Sequence, residues 1–151
     1  LAETRRLLGL VRESERRAPG LASQEEIERL AREVEQGGLK VTVRTTGVER
    51  PLDGIVGDCA YRIVQEALTN VSRHAGARNV LVELRYGADE LELAVEDDGV
   101  GGPVADRSEM GHGLLGMRER VAVAGGELEF GPRPEGGWRV LAQLPYAALV
   151  R

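Results

Sequence analysis

Residues 80–97 read VLVELRYGADELELAVED, and the spacing of apolar residues in them decides the fold. Val80, Val82, Leu84 and Tyr86 fall on alternate positions, and so do Leu91, Leu93 and Val95 after the break at Gly87-Ala88-Asp89. A period of two sends successive side chains to opposite faces of a strand, so the stretch predicts two strands joined by a turn, each with one buried and one wet face. Strands covered by helices on both sides run continuously apolar instead. The expected architecture is therefore α+β: a two-layer sandwich, with helices packed on one face of a mixed, mostly antiparallel sheet.

Working outward, Leu39, Val41, Val43 and Thr45 alternate and predict a strand over 39–46. Two more strands are expected near 127–131 and 137–144. Ser23-Gln24-Glu25-Glu26 fits a capping box, after which Ile27, Leu30, Ala31 and Val34 form a helical stripe ended by Gly37-Gly38. A long helix is expected from a cap at Asp53 to His74, and another from about 113 to 124. Residues 98–112 hold glycines, a proline and no periodicity, which reads as a loop. At the start of the chain, residues 1–12 read as a helix, broken at Arg16-Arg17-Ala18-Pro19-Gly20. The predicted core draws on every part of the sheet and long helix, including Ile55, Val64, Leu68, Leu84, Leu93, Leu114, Phe130 and Val140.

Composition narrows the function. The 151 residues include 20 basic and 25 acidic ones, a net charge of −5 that argues against a nucleic-acid binder. The single Cys59 excludes a disulfide framework and a cysteine-based zinc site, and His74 and His112 are a poor metal set. No apolar run approaches the length of a membrane span, and no stretch of these 151 residues reads as a signal peptide. A first residue of Leu rather than Met suggests a piece of a longer chain.

Three stretches carry chemistry. On the long helix, Ala60, Ile63, Val64, Ala67, Leu68 and Val71 share an apolar arc, with Arg62, Gln65, Thr69 and Ser72 opposite. Glu66 and Asn70, one turn apart, fall on the border. Such a pair can offer oxygen ligands to a hard cation such as Mg²⁺, or orient a nucleophile, and its plain reading is a helix-surface hydrogen bond. The strand through Leu93 and Val95 delivers Asp97 to the end of the buried face, where a carboxylate must find donors. The exocyclic amine of adenine is one, and Gly99 and Gly101 permit close approach of a flat ring; the plain reading is an Asp-Gly turn. Gly111-His112-Gly113-Leu114-Leu115-Gly116 opens a helix, where free N–H groups suit phosphate. It is neither a dinucleotide-binding fingerprint nor a P-loop, and glycines there are often purely conformational. Their order in one short domain supplies a metal ligand, an adenine acceptor and a phosphate cradle together, which is what one nucleotide needs.

In that order the three stretches resemble the GHKL ATPase superfamily, the Bergerat ATP-binding fold of gyrase, heat-shock chaperone ATPases, histidine kinases and a mismatch-repair ATPase. YRIVQEALTNVSRHAGARNV (61–80) is similar to the N box of sensor histidine kinases of the nitrate-sensor and desaturase-thermosensor type; EDDGVGG (96–102) resembles the G1 box and GHGLLGMRERV (111–121) the G2 box. GGELEF and GGWRVLAQLP resemble the last two strands, so the resemblance spans about 21–146.

The resemblance implies Mg·ATP binding. Asp97 would hold adenine. Asn70 would ligate Mg²⁺, with Glu66 as second candidate ligand and as the group that orients or deprotonates the acceptor. Arg73, His74, Gly99, Gly101, Gly111, His112, Gly113, Leu114 and Gly116 would complete the nucleotide site. It implies a domain at 21–151 that donates the ATP γ-phosphoryl group to a histidine in an upstream domain, with 1–20 as the end of the dimerisation and phosphotransfer helix and its linker. ATP or ADP, that upstream domain and a response regulator are the implied partners, with a monomeric fragment, a homodimeric intact protein and a cytoplasmic location, any membrane anchor lying upstream. The alternatives are a serine kinase of the anti-sigma factor type and a non-catalytic nucleotide-binding module. Two departures stand out: the lid between the boxes, roughly Gly102 to Met110, is short, and Trp138 occupies a position where many members carry a small hydroxyl residue.

Overall fold

The computed structural model describes residues 24–52, 54–74, 78–99 and 104–146, without the side chains of residues 73, 74 and 104–112. The expected helix over 1–12, the caps Ser23 and Asp53, and Gly101 lie outside the described residues. In chain order the elements are α1 (Gln24–Glu35), β1 (Lys40–Gly47), α2 (Gly54–His74), β2 (Asn79–Tyr86), β3 (Glu90–Asp97), α3 (Val104–Val123), β4 (Glu127–Pro132) and β5 (Trp138–Pro145).

The five strands form one sheet in the order β1-β2-β3-β5-β4. Only β1 and β2 pair in parallel; the other three pairings are antiparallel. A parallel pair needs a crossover of a dozen or more residues, and the 21-residue α2 supplies it. A tight turn at Gly87 suffices between β2 and β3, where the Gly87 N–H donates to the Glu90 carbonyl at 2.9 Å. The chain then crosses through α3 to the far edge and returns, so β5 lies between β3 and β4.

Val80, Val82, Leu84 and Tyr86 of β2 and Leu91, Leu93, Val95 and Asp97 of β3 are all buried, as the alternation predicts. Helix α1 buries Ile27, Leu30, Ala31 and Val34, and ends where Gly37 and Gly38 donate back to Val34 and Glu35. Its Glu35 accepts the Val41 N–H at 3.0 Å, occupying one donor on the edge strand β1. Gln24 ties the same helix to two strands, donating to Thr45 Oγ1 and accepting from Tyr86 Oη, each at 2.9 Å.

Three expectations need correction. Ile55 is 46% exposed, while Val56 beside it in the first turn of α2 is 3% exposed, so Ile55 lies on the helix face turned away from the core. Phe130 is only partly buried, on the edge strand. Thr69 is buried, not on a wet arc, because α2 packs against α1 and α3 as well as the sheet, which leaves little of it exposed. A fourth concerns the expected loop. Helix α3 begins at Val104, not near 113. Pro103 directly precedes it, a favoured helix-start residue, and Ala105, Arg107, Glu109 and Met110 are good helix formers. No apolar stripe runs through this stretch to announce a helix.

Candidate functional site

Strand β3 ends at Asp97, which faces the interior and is 2% exposed. The Gly99 N–H donates to Asp97 Oδ1 at 2.7 Å, fixing one carboxylate oxygen from within its own turn. Gly99 itself is buried.

The next residue pins this turn to the neighbouring strand. Asp98 Oδ1 accepts the N–H groups of Arg78 and Asn79, each at 2.9 Å, and Oδ2 accepts Asn79 Nδ2 at 2.8 Å. The Asp98 N–H returns a bond to the Asn79 carbonyl at 3.2 Å. These donors favour the ionised carboxylate, the Asn79 side chain most of all, and hold Asp98 below the ordinary carboxylate range.

The β4–β5 turn approaches from the other side. Arg133 Nη1 donates to the Asp97 carbonyl at 3.0 Å, and its Nε lies 3.3 Å from Glu96 Oε2. Gly137 has φ +87, and a Cβ on it would overlap the Asp97 carbonyl, so only glycine lets the turn come this close. Trp138 lies one residue beyond the last β3–β5 pair, Glu96↔Arg139, at the Asp97 end of the sheet. Trp138 is 8% exposed and stacks on Phe130, ring centroids 6.3 Å apart, with the Arg118 guanidinium 4.6 Å from the Phe130 centroid.

Helix α2 packs on β3 and β5 and carries the second group of residues. Asn70 is buried, and Glu66 one turn earlier is half-buried. The Glu66 carboxylate fills the space where a side chain at residue 113 would sit. Gly113 thus brings α3 against Glu66, and Leu114, fully buried, anchors α3 in the core beside it. Gly116 meets open space. Arg73 and His74 end α2, and Gly111 and His112 lie within α3; the side chains of Arg73, His74 and His112 are outside the described residues.

The structure therefore joins Glu66 to Gly113, and Asp97 to Gly99. It places the glycine-rich segment inside α3 instead of at its start, where interior N–H groups are taken up by the i→i−4 ladder. Sequence reasoning missed Asp98, Arg133 and Gly137. Asp98 carried a local signal in the adjacent Asp-Gly, whereas Arg133 meets Asp97 from 36 positions away and left none. Among the described residues no cluster of three His, Cys, Asp or Glu side chains forms a metal cage, and no helix is long and apolar enough to cross a membrane.

A family model described as histidine kinase-, DNA gyrase B- and HSP90-like ATPase matches residues 55–148, most of the sheet with α2 and α3. The chain belongs to this family. Within the family, the chain is 41% identical over 86 residues to the sensor histidine kinase LnrJ of Bacillus subtilis, covering 57% of this chain and 21% of the relative. It is 36% identical over 112 residues to the sensor histidine kinase YxjM of the same organism, covering 74% of this chain and 27% of that one. The chain thus spans about a quarter or less of the length of the curated relatives it matches. Among solved structures, the histidine kinase domain of a blue-light activated histidine kinase from Erythrobacter litoralis superposes with a TM-score of 0.62 at 25% identity, over 95% of this chain and 75% of that one. The ATP binding domain of PrrB from Mycobacterium tuberculosis shares the fold, with a TM-score of 0.62 at 23% identity over 83% of this chain and 96% of that one.

Proposed function

We propose that residues 21–151 are the ATP-binding catalytic domain of a two-component sensor histidine kinase, and that 1–20 are the end of the dimerisation and phosphotransfer helix with its linker. The domain passes the ATP γ-phosphoryl group to a histidine in a domain upstream of it, and a response regulator receives it next. The observation that carries this reading is the buried Asp97 carboxylate, fixed through Gly99 on the sheet face that α2 covers with Asn70 and Glu66. Family membership and the names of the relatives support it. The N-box pattern around Glu66 resembles that of the nitrate-sensor and desaturase-thermosensor group, which supports assigning the chain to it.

In this reading Asp97 accepts the adenine amine, and Gly99 and Gly101 let the ring lie close to the backbone. Arg73, His74, Gly111, His112, Gly113, Leu114 and Gly116 border the nucleotide, Arg73 nearest the phosphates. The Asn70 amide oxygen is the Mg²⁺ ligand, with Glu66 as the second candidate. This donor set fits that ion, which takes one or two protein oxygens and completes its shell with substrate phosphates and water, not an all-protein cage. Bound there, Mg²⁺ neutralises phosphate charge, and phosphoryl transfer depends mostly on such neutralisation and on positioning. Glu66 orients the acceptor imidazole or accepts its N–H proton onto the carboxylate, so that a neutral ring nitrogen attacks. The intact protein is a homodimer with its catalytic domain in the cytoplasm and any membrane anchor upstream, and the piece described is a monomer.

Calorimetric titration with ATP or ADP, with and without Mg²⁺, tests the site. Saturable, Mg²⁺-sensitive binding that Asp97→Ala abolishes is expected; a folded wild-type chain that binds no nucleotide would overturn the reading.

A further inference from the structure

We propose that Arg133 is a positioning residue for base recognition, holding Asp97 in register from the β4–β5 turn. The inference rests on the reading of Asp97 as the adenine-binding acid. The β3–β5 ladder ends at Glu96↔Arg139, one residue short of Asp97. The Arg133 guanidinium donates from Nη1 to the Asp97 carbonyl at 3.0 Å, beyond that last pair.

Arg133 is itself held on several sides. Its N–H donates to the Gly137 carbonyl and its own carbonyl accepts the Gly136 N–H, each at 3.0 Å. Its Nε faces Glu96 Oε2 at 3.3 Å and Glu135 Oε2 at 3.5 Å, which aims the planar fork at the end of β3. Gly137 presses on the same carbonyl, so the turn and the strand end move together. Fixing this peptide plane fixes the Cα–Cβ direction of Asp97, while the Gly99 N–H fixes Oδ1. The Asp98 anchor on β2 holds the turn from the opposite side but does not touch the Asp97 carbonyl. Hydrogen bonds to a base tolerate little displacement, so a loosened strand end weakens recognition without touching the phosphate contacts.

Guanine presents an oxygen acceptor where adenine presents an amine, so it gains nothing from a well-placed Asp97. The test compares ATP and GTP binding to the wild-type chain, Arg133→Met, Arg133→Lys and Asp97→Ala by calorimetry. Arg133→Met is expected to raise the ATP dissociation constant roughly ten-fold and leave that for GTP unchanged, the loss of one charge-assisted bond. Arg133→Lys, still able to donate to the carbonyl, is expected to recover part of the loss, and replaces the Met variant if that one fails to fold. If both nucleotides weaken by the same factor, Arg133 is a general structural residue and the inference is overturned. Unchanged ATP affinity in Arg133→Met, with binding abolished in Asp97→Ala, also overturns it and leaves the nucleotide site standing. ATP binding that survives Asp97→Ala overturns the reading of Asp97 itself.

Discussion

The Glu66 carboxylate occupies the volume that a side chain at Gly113 would need, so the half-buried acid of α2 and the glycine-rich part of α3 are fitted to each other. Two effects then compete in Gly113→Ala. Alanine is favoured over glycine inside a helix by roughly 0.5–1 kcal/mol. The new methyl must displace a carboxylate, which sits at the end of a flexible side chain and can swing away cheaply. Gly113→Ala is thus expected to stay folded with unaltered or slightly greater stability, and to lose phosphoryl transfer because Glu66 has moved. Gly116→Ala meets open space and is expected to gain about 0.5–1 kcal/mol. Urea denaturation of both variants, beside a phosphorylation assay of Gly113→Ala in the intact kinase, checks the pair.

Glu66→Gln keeps the shape and removes the base. In the intact kinase, histidine phosphorylation is expected to fall about 10²–10⁴-fold. The ATP dissociation constant is expected to change only a few-fold. An unaltered phosphorylation rate would remove Glu66 from the chemistry.

Gly137→Ala has no easy escape. The obstruction is the backbone carbonyl of Asp97, and the residue holds φ +87. A loss of about 1–3 kcal/mol is expected, because strain and overlap add. Equilibrium denaturation with an unchanged m value measures it. Nucleotide affinity is expected to fall as well, since the turn carries Arg133.

Asp98 makes the turn acid-sensitive. Its folded pKa lies below the unfolded value, so its contribution is complete above that value and is lost as pH falls through the folded pKa. Asp98→Asn keeps one oxygen for the Arg78 and Asn79 N–H groups but cannot accept from Asn79 Nδ2. Melting temperatures of the wild type and Asp98→Asn are expected to differ by a constant amount above about pH 5 and to converge as the pH falls below the ordinary carboxylate range. A gap that widens on acidification would contradict the assignment.

Trp138 is the sole tryptophan, buried and one residue beyond the last β3–β5 pair, Glu96↔Arg139, at the Asp97 end of the sheet. Its emission is expected to be blue-shifted in the folded chain and to change on adding ATP, saturating with the calorimetric dissociation constant. Asp97→Ala is expected to remove the ATP response while leaving the emission maximum of the folded chain in place.

Much of the architecture was legible in the order of residues. The alternation through Val80–Val95 identifies a sheet with one wet face, and the stripe Ile27-Leu30-Ala31-Val34 identifies a helix, because both depend on local periodicity. Asp97 at the buried end of its strand follows from the same alternation. The N-terminal half of α3 was not legible, since Val104–His112 carries no apolar period and the glycines at 99, 101, 102 and 111 suggest a loop. Nor was the burial of Thr69, which depends on α1 and α3 flanking α2.

What the sequence by itself determined is the set of elements and the chemical groups each one carries: Glu66 and Asn70 one turn apart on a helix, Asp97 at a strand's end. Backbone geometry over a few residues is enough for that. Only the tertiary structure decided the partners. Gly113 against Glu66, and Arg133 and Gly137 against the Asp97 carbonyl, all join residues separated by tens of positions. Such contacts follow from strand order and layer packing, in which β5 inserts beside β3 and carries the β4–β5 turn to the end of the site strand.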